Sequence, residues 1–276
     1  MATSDMPPGL DVVTTSPGAK GRHRERPVAV RGARPLRADA TAEQFTRFAA
    51  EYAAQHRDRP ICILQAGCTT TGPELDLAAV RASGVDLVVS QVDDDCSAAR
   101  AVAESRPELR SATLAELRQL PLAPRSLDIV QCSMLLHRIG HAELVLGRLV
   151  DGLRPGGLLL LRTADRQTAA GVLDRMLPEF ARVMAWRMAR PGEPGPFPAR
   201  YEPIASERGV EAFVSRHGLV IANRQTRRTV HGPGLIAAAV GRTLIGWLSG
   251  GHFTSGHDEL HYVIRKPEDQ FARVLY

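Results

Sequence analysis

Lysine is almost missing from this chain: among 276 residues it occurs only at Lys20 and Lys266. The G-x-G-x-x-G spacing is absent as well, which sets aside a nicotinamide-dependent oxidoreductase. No stretch approaches the ~18 to 20 consecutive apolar residues that span a bilayer. The N-terminus has no apolar run of the kind a secretory signal needs, so a cytoplasmic protein without membrane insertion is expected. The four cysteines, Cys62, Cys68, Cys96 and Cys132, form no CxxC pair and no Cys/His spacing suited to zinc. Free thiols and no metal are the expectation.

What the chain does hold is arginine, alanine, glycine and proline, a pattern that reads as coding bias of a high-GC genome and not as a nucleic-acid surface. Net charge is +5, and residues 1–40 carry +3 of it, from seven basic and four acidic groups. That leader is rich in Pro, Gly, Ser, Thr and Arg without apolar period, and is read as a disordered basic segment. At 44% hydrophobic residues, positions 41–276 suffice for a single domain with one sizeable core plus appendages.

Order is expected from Thr41, which has capping-box spacing to Gln44. Phe45, Phe48, Ala49, Tyr52 and Ala53 then recur with a helical period up to about His56. Strands and helices alternate afterwards: strand Ile61–Ala66, helix Pro73–Ser83, strand Leu87–Val92, helix Ser97–Ser105, a weak strand near Arg110–Leu114, strand Leu127–Cys132, helix His141–Leu153 and strand Gly157–Arg162. Such alternation implies right-handed crossovers and a parallel sheet covered on both faces. Ligands of these sheets sit at the strands' carboxyl ends, so residues 65–72, 93–95, 113–116, 132–137 and 163–165 are the ones to watch.

Three segments carry a resemblance. Ile61-Cys62-Ile63-Leu64-Gln65-Ala66-Gly67-Cys68-Thr69-Thr70-Thr71-Gly72 resembles the first motif of class I S-adenosylmethionine-dependent methyltransferases, where a strand ends in an acid and a glycine loop follows. Leu120 to Ile139 resembles that family's fourth-strand segment, and Leu149 to Leu161, with Arg154-Pro155-Gly156-Gly157, its helix, tight turn and fifth strand. The closest sub-pattern is that of small-molecule methyltransferases. The resemblance implies a Rossmann-like, doubly wound α/β fold with a seven-stranded sheet, mostly parallel with an antiparallel last strand. It implies S-adenosyl-L-methionine as cofactor and a small-molecule acceptor as partner. By position it points to Gln65, Gly67, Cys68, Thr69, Gly72, Asp93, Asp94, Leu114, Cys132 and Ser133 as cofactor-binding. Asp93 stands where the family places an acid on the cofactor's ribose hydroxyls, with Asp94 and Asp95 as neighbours able to take its place. His137, after the fourth strand, is the candidate catalytic base, with Arg138 and His141 beside it. Asp128 reads as structural.

The sequence departs from the pattern in its first loop. Gln65 stands at the acidic position, and Thr69 and Thr71 stand where the family prefers glycine. A β-branched residue forced to positive φ costs on the order of 1 to 3 kcal/mol. Two readings follow: cofactor binding in a modified geometry, or a catalytically inactive methyltransferase-like binding or partner protein.

Further on, Arg166–Met188 reads as helical, 191–198 as a stiff loop, Ile204–His217 as a helix with Val210, Phe213 and Val214 inward, Leu219–Ala222 as the start of strand six and Glu259–Arg265 as strand seven. Residues 166–203 and 230–257 count as insertions on the core at 60–165. Gly234–Gly250 is read as an amphipathic helix over the active site or at an oligomer interface, which leaves a homodimer open. His252, His257 and His261 read as solvated or structurally bonded.

Overall fold

The computed structural model describes residues 38–67, 75–105, 113–189, 195–227 and 257–268, all within the compact unit Arg34–Tyr276. The basic leader up to residue 37, Cys68, Thr69, Gly72, and the insert at 234–250 lie outside the described residues.

In chain order the elements are α1 (Ala38–Gln55), β1 (Ile61–Ala66), α2 (Leu77–Arg81), β2 (Leu87–Asp94), α3 (Ser97–Ser105), β3 (Thr113–Ala115), β4 (Leu127–Ser133), α4 (Ala142–Gly152), β5 (Leu153–Ala164), α5 (Ala169–Met176), α6 (Glu179–Ala189), α7 (Glu207–Arg216), β6 (Val220–Arg227) and β7 (Glu259–Arg265). The seven strands form one sheet in the order β3-β2-β1-β4-β5-β7-β6. β1 through β5 pair in parallel, and β7 runs antiparallel to both β5 and β6. The expected seven-stranded α/β sheet, with its antiparallel last strand, is thus the observed one.

Both faces of the sheet are covered. On one, Phe45, Ala49, Tyr52 and Ala53 of α1 pack with Leu75 and Val80 on Ile61, Ile63, Ile129, Leu158, Leu160 and Val263. On the other, α4 and α7 bury Val145, Leu146, Leu149, Val210, Phe213 and Val214 against Leu64, Val130, Leu159, Leu161, Tyr262 and Ile264. Each large apolar side chain so buried contributes roughly 1.5 to 3 kcal/mol of transfer free energy. The alternation along β1 explains the split: Ile61 and Ile63 face α1, and Leu64 faces α4.

Several boundaries differ from expectation. α1 starts at Ala38, so residues 38–40 belong to it and Thr41 is inside the helix instead of capping it. α2 is only Leu77–Arg81, not Pro73–Ser83, because Asp76 caps it, accepting from the amides of Ala78 and Ala79. β2 runs on through Asp93 and Asp94, which pair with Leu114 and Ala115 of β3. Arg154-Pro155-Gly156-Gly157 is not a simple helix-to-strand turn. β5 has already begun at Leu153, paired with Leu127, and the register jumps before Ile129 meets Leu158, with Gly156 at φ +80°. The stretch 166–188 holds two helices, broken at Leu177 and Pro178, because proline disfavours helical backbone in the residue before it.

The amino end of the sheet is tied by Asp128. Its carboxylate accepts from Tyr52 Oη (2.9 Å), Arg59 (2.6 and 2.8 Å), Arg154 (3.0 and 3.2 Å) and the Cys62 amide (2.8 Å). Burial alone would raise its pKa, but the hydrogen bonds from Arg59, Cys62 and Tyr52 hold it below the usual carboxylate range. Tyr52 is pushed up to about 12, by burial first and then by that carboxylate. Asp128 is therefore a structural hub joining α1, β1, β4 and β5.

Candidate functional site

β1, β2 and β4 end side by side, and the residues just past them meet. Gly67 closes β1 at φ +75°, where a side chain is strained, and its amide donates to Val92 O at 2.9 Å. A Cβ built on it would lie 2.5 Å from Ser133 O, 2.8 Å from Leu135 Cβ and 3.4 Å from Arg138 Nη2. Glycine is required there by the close approach of the β4 tail. Gly67, Ser133 and, through Arg138, Asp93 thus form one cluster.

Asp93 is fully buried, and its Oδ1 accepts from the Arg138 guanidinium and from the Asp94 amide (2.8 Å). Arg138 is as deeply buried as its partner and lies over the Phe197 ring, 4.5 Å from the centroid. Its Nε and Nη1 are buried without a hydrogen-bond partner. Asp94 beside it is half-buried, and burial raises its pKa against the opposing pull of Arg138. The acid that the sequence assigns to ribose hydroxyls is thus in place at the end of β2, but neutralised by a cation of the chain itself. The site therefore fits a nucleoside cofactor in its backbone, while a diol at that carboxylate would compete with Arg138 for Oδ1.

Gln65 has a different employment. Its Nε2 donates to Gln131 Oε1 (2.9 Å) and its Oε1 accepts from Gln91 Nε2 (3.0 Å), so three glutamines in register on β2, β1 and β4 link their amides across the sheet. Gln131 Nε2 and Gln91 Oε1, at the two ends of that row, are buried without partners. Each glutamine is the fifth residue of its strand, a signal present in the sequence and overlooked there.

The remaining expected residues separate. Cys132 points into the α4 side of the core, and burial pushes its thiol up to about 12, so its side chain is packing and not a ligand contact. Ser133 keeps a buried Oγ without a partner, next to the cluster. Leu114 is half-buried on β3. His137 buries its Nδ1 and stacks, tilted, near Tyr201, with 5.4 Å between ring centroids. Burial, and then Arg138, lower its pKa to about 3. An imidazole so depressed is neutral at physiological pH and a weak proton acceptor, which argues against the general-base role. His141 begins α4 at φ +55°, its amide held by Glu202 at 2.6 Å.

Near the β5 and β7 ends His261 is structurally bonded, one of the two states expected of it, but sequence reasoning missed the Arg162–Glu259 pair that it joins. Arg162 donates to Glu259 through Nε (2.8 Å) and Nη2 (3.0 Å), and His261 Nε2 lies 3.2 Å from the same carboxylate. All three are buried, and His261 sits 6.2 Å from the Phe45 ring of α1. Burial lowers the His261 pKa, with Glu259 opposing. His257 bonds Asp165 at 2.9 Å. Among the described residues no group of three or more His, Cys, Asp or Glu is placed to hold a metal, and no helix is long and apolar enough to cross a membrane.

The comparisons with known proteins agree with this architecture. Residues 64–161 match the family model described as methyltransferase domain. No curated protein matches the sequence. A loganic acid methyltransferase solved with SAH superposes with a TM-score of 0.51 at 13% identity, over 83% of this chain and 94% of that one. An S-adenosylmethionine dependent methyltransferase from Mesorhizobium loti gives 0.45 at 16% identity, over 81% and 99%. The [4+2]-cyclase SpnF gives 0.46 at 14% identity, over 82% and 81%. Residues 64–161 are thus similar to the methyltransferase domain family, and the seven-stranded sheet built around them has the fold of the loganic acid methyltransferase.

Proposed function

We propose that this chain is an S-adenosylmethionine-dependent methyltransferase acting on a small molecule. The observation that carries the reading is the meeting of Gly67, Asp93 and Ser133 at the carboxyl ends of β1, β2 and β4, inside the segment that matches the family. When bound, the cofactor supplies an activated methyl group on a cationic sulfur. Displacement at such a carbon needs alignment and exclusion of water more than an acid or base. The buried surroundings of Ser133, Arg138 and Arg162 suit the exclusion of water. Calorimetry with S-adenosylmethionine and S-adenosylhomocysteine tests the reading. Saturable heat is expected, and none at millimolar ligand would overturn it.

A second reading, a methyltransferase-like binding or partner protein without transfer activity, is favoured by the Asp93–Arg138 pair and by the use of Gln65 in the amide row. On that reading Arg138→Gln removes the cation from Asp93 and creates or raises affinity for S-adenosylhomocysteine. Equal affinity before and after the substitution contradicts it.

A further inference from the structure

A cleft of about 440 Å³ opens just beyond the end of β5, lined by Arg166, Gln167, Arg175, Pro203, Ser206, Arg208 and Gly209. Its size lies in the range of small-molecule sites. Its charge is one-sided. Among the described residues none of its three arginines has a carboxylate partner. The nearby acids are committed elsewhere: Asp174 to Arg182, Glu207 to Arg224, Asp165 to His257 and the Gln167 amide, and Glu202 to the amides of His141 and Ala142. Arg175 is also held in place. Its Nε donates to Gly171 O (3.2 Å), its Nη2 to Arg166 O (3.1 Å), and its guanidinium lies 6.0 Å from the Tyr201 ring centroid. Arg175 and Arg208 are exposed, so water solvates them, and an oxyanion would replace that water with charge-assisted hydrogen bonds. Burial and the neighbouring Arg166 both lower the pKa of Arg175, the direction expected of a cation lacking a counter-charge.

The cleft is close to the site already described. Tyr201 is near both: its ring centroid lies 6.0 Å from the Arg175 guanidinium and 5.4 Å from the His137 ring, and its amide donates to His137 O at 2.8 Å.

We infer that Arg166, Arg175 and Arg208 form a subsite for an oxyanion, a carboxylate or a phosphate group, carried by the small molecule that the domain acts on. Only the naming of that molecule as the methyl acceptor rests on the methyltransferase reading. The binding of an oxyanion does not. Arginine suits both groups, since its planar donors match two oxygens at once.

The test uses the full chain and two probes, inorganic phosphate and acetate, each titrated against chloride at constant ionic strength while Tm is followed. Phosphate also stabilises proteins without binding, by exclusion from their surface, and that part grows in proportion to concentration. Binding instead raises stability with the logarithm of concentration above the dissociation constant. The expected result is a logarithmic rise with one or both probes, with its onset at about 1 to 10 mM. The double variant Arg175→Gln/Arg208→Gln should move that onset at least about tenfold, and Arg47→Gln, an exposed residue of α1, should leave it in place. The probe that gives the logarithmic rise tells phosphate from carboxylate. The absence of such a rise with either probe, or an equal rise in native protein and double variant, would overturn the subsite. Calorimetry of the native protein with S-adenosylhomocysteine is read separately. A failure there counts against the methyltransferase reading, while the oxyanion subsite stands or falls with the arginine dependence of the anion titration.

Discussion

At the scale of single residues, two groups of the candidate site hold protonation states set by burial, and one of them gives a measurable pH dependence. His137 has a folded pKa of about 3, below its ordinary 6.5. The unfolded chain therefore takes up a proton between those values while the folded one does not. Its contribution to stability is complete above pH 6.5 and is lost as pH falls from 6.5 toward 3. The slope is at most about 1.4 kcal/mol per pH unit. His137→Phe should flatten the stability profile in that window, measured by denaturant unfolding at pH 7, 6, 5 and 4. Identical slopes in variant and native protein would show that the imidazole is not held neutral by its surroundings. Of these residues the sequence disclosed identity and position, not state. That an acid would stand near the carboxyl end of this strand was visible in its apolar approach, although β2 runs on to Asp94. That Arg138 would meet it was not, since 45 residues separate the two and only the parallel β2-β1-β4 order brings them together.

At the scale of elements, the apolar runs were decisive where they were strong. Ile61–Ala66 and Glu259–Arg265 were readable to the residue, because both are buried along nearly their whole length. Short polar signals were weaker guides. Pro73 looked like a first-turn residue, yet the helix starts at Leu77 behind Asp76. At five residues α2 is too short to persist without help, since the first helical turn costs more than it returns. Asp76 supplies that help by holding the amides of Ala78 and Ala79 at 2.9 and 3.0 Å. Asp76→Ala should cost about 1 kcal/mol. It should also speed amide hydrogen exchange across Leu77–Arg81 while β1 and β4 keep their protection. Unchanged exchange in α2 would mean that packing of Val80 and Leu75, and not the cap, sets the helix. The break between α5 and α6 had a readable cause in Pro178, whereas the row of Gln65, Gln91 and Gln131 needed strand positions to be counted and compared across the sheet.

At the scale of the whole molecule, the sheet has a stabilising end and a chemical end. Asp128 gathers Tyr52, Arg59, Cys62 and Arg154 at the amino ends of the strands, and Gly67, Asp93, Ser133 and Arg138 meet at the carboxyl ends. Along β4, Asp128 and Ser133 are five steps apart, roughly 16 Å at 3.3 Å per residue. Groups that far apart, with no shared partner, usually change stability independently, to within about 0.3 to 0.5 kcal/mol. Asp128→Asn leaves two guanidiniums without their counter-charge. Because Arg59 and Arg154 each keep about 30% of their side chains in water (30% and 31%), the loss should fall near the low end for a broken buried pair, about 3 kcal/mol. Arg138→Gln removes the cation that faces the buried Asp93 and should cost a similar amount. The double variant should then lose the sum, and affinity for S-adenosylhomocysteine should follow Arg138 alone. Denaturant unfolding of the four proteins measures the first expectation and calorimetry the second. An interaction energy above about 1 kcal/mol would mean that β4 transmits strain from one end of the sheet to the other, in which case the divergent cofactor loop and the Asp128 hub would have to be understood as one unit.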